Sequence, residues 1–147
     1  MNKKYFTALL EEIEELKKNN QLIIVEGRKD KAALEELGIK NIFVLNQSGK
    51  SLYTKIEEIV KKVKNTRKNK KCIILTDLDK KGRQLYFLLR KELDRENIKM
   101  DNNLRNLLIK LKVSHIEGLS TFFKNSTFFK NNYHDRPYCP NLSNLFL

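Results

Sequence analysis

The chain has 147 residues and a formal net charge of +12, from 30 Lys and Arg against 18 Asp and Glu. That length builds a single domain with one proper core. The charge makes polyanions the expected partner, because clustered cations release counterions from phosphates. No uncharged stretch approaches the ~20 apolar residues of a membrane-spanning helix, so no membrane association is expected.

Phe6, Leu9, Leu10, Ile13 and Leu16 recur at helical spacing, so residues 1–19 read as an amphipathic helix packed on the core, not a secretion signal. Cys72 and Cys139 stand far apart and make no disulfide framework, so reduced thiols and a cytoplasmic protein are expected. Leu22 to Val25 is a continuous apolar run of the kind found in strands covered on both faces. A helical segment, Ala32 to Leu37, leads to a second such run, Ile42 to Leu45. The following NQSGKS (46–51) ends like a phosphate-binding P-loop, but Val44 stands where that motif needs its first glycine. A turn with Ser51 as N-cap accounts for it better, leaving Ser48 and Lys50 within reach of a substrate phosphate.

The capped helix carries Leu52, Ile56, Ile59, Val60 and Val63 and runs into a basic stretch at 61–71. About sixteen helical residues span ~24 Å, which places that stretch at the edge of the sheet far from the strand ends that bear the acids. There it serves a long substrate, a protein partner, or only the solvation of a helix end. A third apolar run, Cys72 to Leu75, opens into TDLDKKGR (76–83); helical Leu85, Leu88, Leu89 and Leu93 follow. Ile98 to Met100 predicts a short fourth strand, and Asp101 an N-cap for a helix with Leu104, Leu107, Leu108 and Leu111. TFFKN then occurs twice, at 121–125 and 127–131, with Phe122 and Phe129 on one helical face for the sheet or a partner chain. The expected division is 1–19, a core domain at 20–123, and a partly irregular tail at 124–147.

Alternating strands and helices predict an α/β fold, a parallel sheet of about four strands with helices on both faces. In such sheets ligands sit beyond the carboxyl ends of the strands. Glu26-Gly27-Arg28-Lys29-Asp30 leaves the first strand there and Asp77-Leu78-Asp79 the third, with Gly27 and Gly82 suited to tight turns. Each of Asp30, Asp77 and Asp79 alone reads as a helix cap. Together with Glu26 they form an oxygen-only set suited to Mg²⁺ or Mn²⁺, and they repel one another unless a cation or a proton intervenes. Arg28, Lys29, Lys50, Lys80, Lys81 and Arg83 are the near phosphate ligands. His115, His134 and the cysteines show no paired ligand spacing, so zinc is not expected.

VEGRKD (25–30) and TDLDKKG (76–82), each after a strand, resemble the two motifs of the Toprim domain. This small Rossmann-like module is shared by bacterial-type primases, topoisomerases, recombination-repair proteins, OLD-type nucleases and a ribosomal-RNA maturation nuclease. The resemblance implies Glu26 as general acid/base and Asp77 and Asp79 as metal ligands, with Asp30 a further acidic position. Residues 20–123, including LNQSGKSL and DNNLRNLLIKLKVSHIEGLSTF, resemble small standalone, mainly archaeal members. HIEGLS (115–120) is similar to a segment of the maturation nuclease, which adds Glu117. Nothing here resembles a primase zinc module or a topoisomerase arch, so primer synthesis and strand passage are not expected. What remains is a Mg²⁺-dependent nuclease in RNA processing or DNA repair, or a non-catalytic metal- and nucleic-acid-binding module of a larger complex. A phosphate-ester enzyme of small substrates stands further off.

Overall fold

The computed structural model describes residues 3–47, 49–65 and 71–125. Four strands, β1 (Leu22–Val25), β2 (Ile42–Val44), β3 (Lys71–Ile74) and β4 (Lys99–Met100), form a parallel sheet in the order β2-β1-β3-β4. Ile24 sits opposite Phe43 on one side and Ile74 on the other, and Cys72 opposite Met100. Alternate side chains of a strand leave by opposite faces. Ile23, Val25, Ile73 and Leu75 therefore enter one core, with α1 (Lys3–Asn19), α2 (Arg28–Glu36), α5 (Asn103–Lys110) and α6 (Leu119–Asn125). Leu22, Ile24, Cys72 and Ile74 enter the other, with α3 (Leu52–Lys64) and α4 (Lys80–Arg95). Burial on both faces is why these strands read as unbroken apolar runs; the expected α/β architecture is the observed one. The Cys72 thiol is a core group whose pKa burial pushes up to about 12.

All five stripe residues of α1 are buried. The Phe6 ring meets Phe123 edge-on at 5.5 Å and Phe122 at 5.9 Å, so the first TFFKN copy packs inward on α1. Phe123 is the fully buried ring and Phe122 only flanks the core. The second copy with Phe129, His134, Cys139 and the tail lie outside the described residues. In α4 the buried face is Gly82, Tyr86, Leu89 and Leu93, and Leu88 stands 43% exposed. Of the expected stripe, Leu89 and Leu93 are buried and Leu85 packs against the core, whereas Tyr86 takes the place given to Leu88. Ser51 caps α3 as expected, its Oγ accepting from Thr54 N at 3.3 Å. Asp101 Oδ1 accepts from Asn103 N at 3.0 Å, but α5 begins from Asn102, one residue later than expected.

Helix α3 has 13 residues and ends at Lys64, whose Nζ lies 3.2 Å from Glu96 Oε2, just past the carboxyl end of α4. That ion pair anchors the described start of the basic run at the sheet edge opposite the acids; residues 66–70 lie outside the described residues. Helices α1, α2, α4 and α5 are each followed closely by a residue of positive φ: Asn20 (50°), Gly38 (85°), Asn97 (59°) and Lys112 (59°). Glycine and asparagine tolerate this left-handed C-cap; lysine is the exception.

Candidate functional site

From β1 the chain turns to β2 through α2 on one face; from β3 it turns to β4 on the other side through α4 on the opposite face. The ends of β1 and β3 thus flank a topological switch point, where α/β sheets bind ligands. Glu26 Oε1 accepts from Asp77 N at 3.0 Å, and the Glu26 carbonyl accepts from Asn46 N at 2.9 Å. One residue thereby ties the ends of three strands. Asp30, the third residue of α2, is buried and accepts from Gly27 N through Oδ2 at 2.9 Å. Burial raises its pKa above the ordinary 3.8, against the lowering effect of the Gly27 bond, with the charges of Asp77, Glu26 and Glu117 adding to the rise.

The two glycines differ from expectation. Gly27 is extended, at φ −137° and ψ 175°, and a Cβ there would find ordinary room, so no turn demands it. Gly82 lies inside the first turn of α4, where a Cβ would stand 2.0 Å from the Asp77 carbonyl oxygen. Close approach of helix to loop is its reason.

Asp77, Asp79 and His115 each bring one ligand atom within 4.8 Å of the others; Glu26 and Asp30 are outside this group. Asp77 Oδ1 accepts from Ile116 N at 3.1 Å, and Oδ2 lies 3.4 Å from His115 Nδ1. Asp79 caps α4, its Oδ1 accepting from Gly82 N at 2.8 Å. The capping and metal-ligand readings of Asp79 are compatible, since Oδ2 is not used by the cap. His115 was passed over for want of paired spacing. It arrives from the loop after α5, which Leu78 N holds by donating to Ser114 O at 2.8 Å. The HIEGLS segment, singled out for Glu117, also carries His115 to the acidic pair. The hydrogen bond that the exposed His115 imidazole donates to Asp77, and the charge of that carboxylate, raise its pKa above 6.5. Glu117 is exposed nearby, and its charge acts on both Asp30 and His115.

Arg105 was also missed. It is 4% exposed, donating through Nη1 to Thr76 O at 2.7 Å and Thr76 Oγ1 at 3.2 Å, with its guanidinium 4.3 Å from the centre of the Tyr86 ring. Burial lowers its pKa from the ordinary guanidinium value, yet a guanidinium stays charged. In the sequence it stands among the leucines of this helix, and no local pattern singles it out. Above it, Arg28 and Lys29 open α2 and Lys80, Lys81 and Arg83 open α4. All five are exposed, with no ion-pair partner among the described residues. Lys50 differs, because its ammonium is held by Glu58 on α3.

A family model for the Toprim domain matches residues 21–113. The chain belongs to the Toprim-domain family. A UPF0292 protein of Methanocaldococcus jannaschii is 34% identical over 121 residues, covering 81% of this chain and 90% of that protein. One of Methanosarcina acetivorans is 32% identical over 117 residues, 78% of this chain and 76% of its own length. A solved structure of a protein from Aquifex aeolicus shares 32% identity at a TM-score of 0.59, covering 76% of this chain and 94% of that one. The similarity to archaeal Toprim proteins seen in the sequence is therefore shown. His115, Glu117 and α6 fall beyond the Toprim match, and the whole of α1 precedes it.

Toprim domains bind divalent metal ions, and their work concerns nucleic acids; this chain shares that coarse function. Two carboxylates with an imidazole beside them fit a hard or borderline divalent cation, so Asp77, Asp79 and His115 can hold one. Among the described residues no helix is long and apolar enough to cross a membrane.

Proposed function

We propose that this Toprim protein is a nuclease dependent on Mg²⁺ or Mn²⁺ that processes structured RNA or DNA. The observation that carries it is the placement of cations against the local field. The amino end of a helix is its positive pole and favours acids, by about 0.3–1 kcal/mol for each charge. Here five cations crowd two such ends, around Glu26, Asp77 and Asp79, with no carboxylate partner among the described residues. Residues that break a local rule in this way belong at functional sites. A phosphodiester backbone resolves the conflict, taking both the cations and the helix ends.

Asp77 and Asp79 would hold the metal, with His115 completing the set. The ion supplies neutralisation of phosphate charge and activation of water. Glu26 uses Oε1 on the Asp77 amide and keeps Oε2 without a hydrogen-bond partner among the described residues, ready to exchange a proton with water or leaving oxygen. We read Asp30 as a positioning residue: its buried carboxylate fixes the Gly27 turn behind Glu26. Arg28, Lys29, Lys80, Lys81 and Arg83 seat the phosphates.

Cleavage of labelled RNA and DNA in Mg²⁺ or Mn²⁺ tests this reading, with thermal melting on the same preparations. Metal at a hundredfold excess over its dissociation constant stabilises by about 2.7 kcal/mol. Asp77→Asn with Asp79→Asn should abolish both the shift and cleavage. Glu26→Gln should keep the shift and lose turnover by roughly 10²–10⁴. Full-speed cleavage by Glu26→Gln rejects its assignment. Wild type that binds nucleic acid but cleaves nothing is instead a non-catalytic module.

A further inference from the structure

Where β4 stops after Met100, α4 and α5 leave a groove of about 550 Å³ between them, within the ~300–1,000 Å³ usual for ligand sites. It adjoins the acidic site, sharing Leu78 from between Asp77 and Asp79 and Ser114 from beside His115. Three features set its chemistry. Its lining holds Arg83, Arg90, Arg105 and Lys112 and no carboxylate, and none of the four is ion-paired among the described residues. Phe87 and Ile109 stand on its walls 61% and 53% exposed, over a floor made rigid by Arg105 stacked on Tyr86. Lys112 adopts φ 59°, where glycine would be at ease, so a cation is kept at this wall at the expense of backbone strain.

Resting on the nucleic-acid reading above, we propose that this groove takes an unpaired segment of the substrate. Bases would lie on Phe87 and Ile109, and phosphates on Arg83, Arg90 and Lys112, so that the strand runs on to Asp77 and Asp79. Phosphates alone would call for the cations alone. Exposed apolar walls add a demand for flat apolar faces, and duplex bases, stacked on one another, cannot offer them. The amide of Asn106 on the lining can meet a base edge. The substrate class is therefore a nucleic acid with a single-stranded end or loop.

The test is fluorescence anisotropy in EDTA, with a labelled single strand of about a dozen nucleotides against a blunt duplex of equal length. Wild type should prefer the single strand. Phe87→Ala should weaken that binding about 5- to 150-fold, the value of a base stacked on an aromatic ring. Phe87→Trp should restore it. Lys112→Gly should melt higher than wild type yet flatten the log–log salt slope by about 0.7. Equal affinity for the duplex, no binding of the single strand, or unchanged binding by Phe87→Ala overturns the proposal, and Phe87 is exposed enough that its loss leaves the fold intact. Binding through Phe87 without cleavage in metal would reject the nuclease reading and keep the groove. Cleavage that Phe87→Ala leaves untouched would do the reverse.

Discussion

Gly82 sits where alanine would ordinarily be the better residue, since Ala gains about 1 kcal/mol over Gly inside a helix. A Cβ there would stand 2.0 Å from Asp77 O and 2.9 Å from Asp77 Cα, and these are backbone atoms that cannot swing aside. Gly82→Ala should therefore destabilise, by about 1–3 kcal/mol in urea titration. It should also weaken the thermal response to Mn²⁺, because the loop it displaces carries both aspartates. Asp30 offers a second test at this scale. Its folded pKa is raised, so the native state holds that proton more tightly than the unfolded chain does. Its contribution to stability is fully present below 3.8 and is lost as pH rises through the folded value. Asp30→Asn keeps an acceptor for Gly27 N and has no proton to lose. In EDTA it should be more stable than wild type at pH 7, with the advantage fading toward pH 4 in denaturation series. Glu26, Asp77 and Asp79 were legible because they end apolar runs. His115 and Arg105 were not, since their positions depend on where α5 docks, a long-range packing outcome that no local pattern records.

At the scale of elements, β1 and β3 could be read because burial on both faces leaves no alternation to confuse, and α1 because its stripe is wholly apolar. In α4 only Leu88 was misplaced, because the core ring there, Tyr86, carries a hydroxyl, which donates to Asn102 Oδ1 at 2.8 Å. A pair of substitutions checks the assignment of faces. Phe6→Ala, deep between α1 and α6, should cost about 3–5 kcal/mol. Leu88→Ala, on the outer side of α4, should stay within ~0.5 kcal/mol. Both are read by chemical denaturation.

Across the whole molecule, the cations fall into two groups that composition cannot separate. Lys61, Lys62 and Lys64 occupy the last turn of α3, where the helix dipole welcomes them and where Lys64 already pairs with Glu96. The helix dipole and that ion pair are enough to hold them there without a phosphate. Lys80 and Lys81 enjoy no such support. Lys80→Ala with Lys81→Ala should flatten the salt slope of short-oligonucleotide binding by about 0.7–0.9 per lost phosphate contact. Lys61→Ala with Lys62→Ala should leave it unchanged.

The clasp of Phe6 on Phe123 joins nearly the first and last described residues, and it has a consequence for synthesis. The apolar face of α1 leaves the ribosome well ahead of α5 and α6, which cover it. At ~5–20 residues per second, that face waits for several seconds without its natural cover. The sticky interval of this protein's life is thus written into its topology, and nascent chains cut short before α5 should be the ones that chaperones hold.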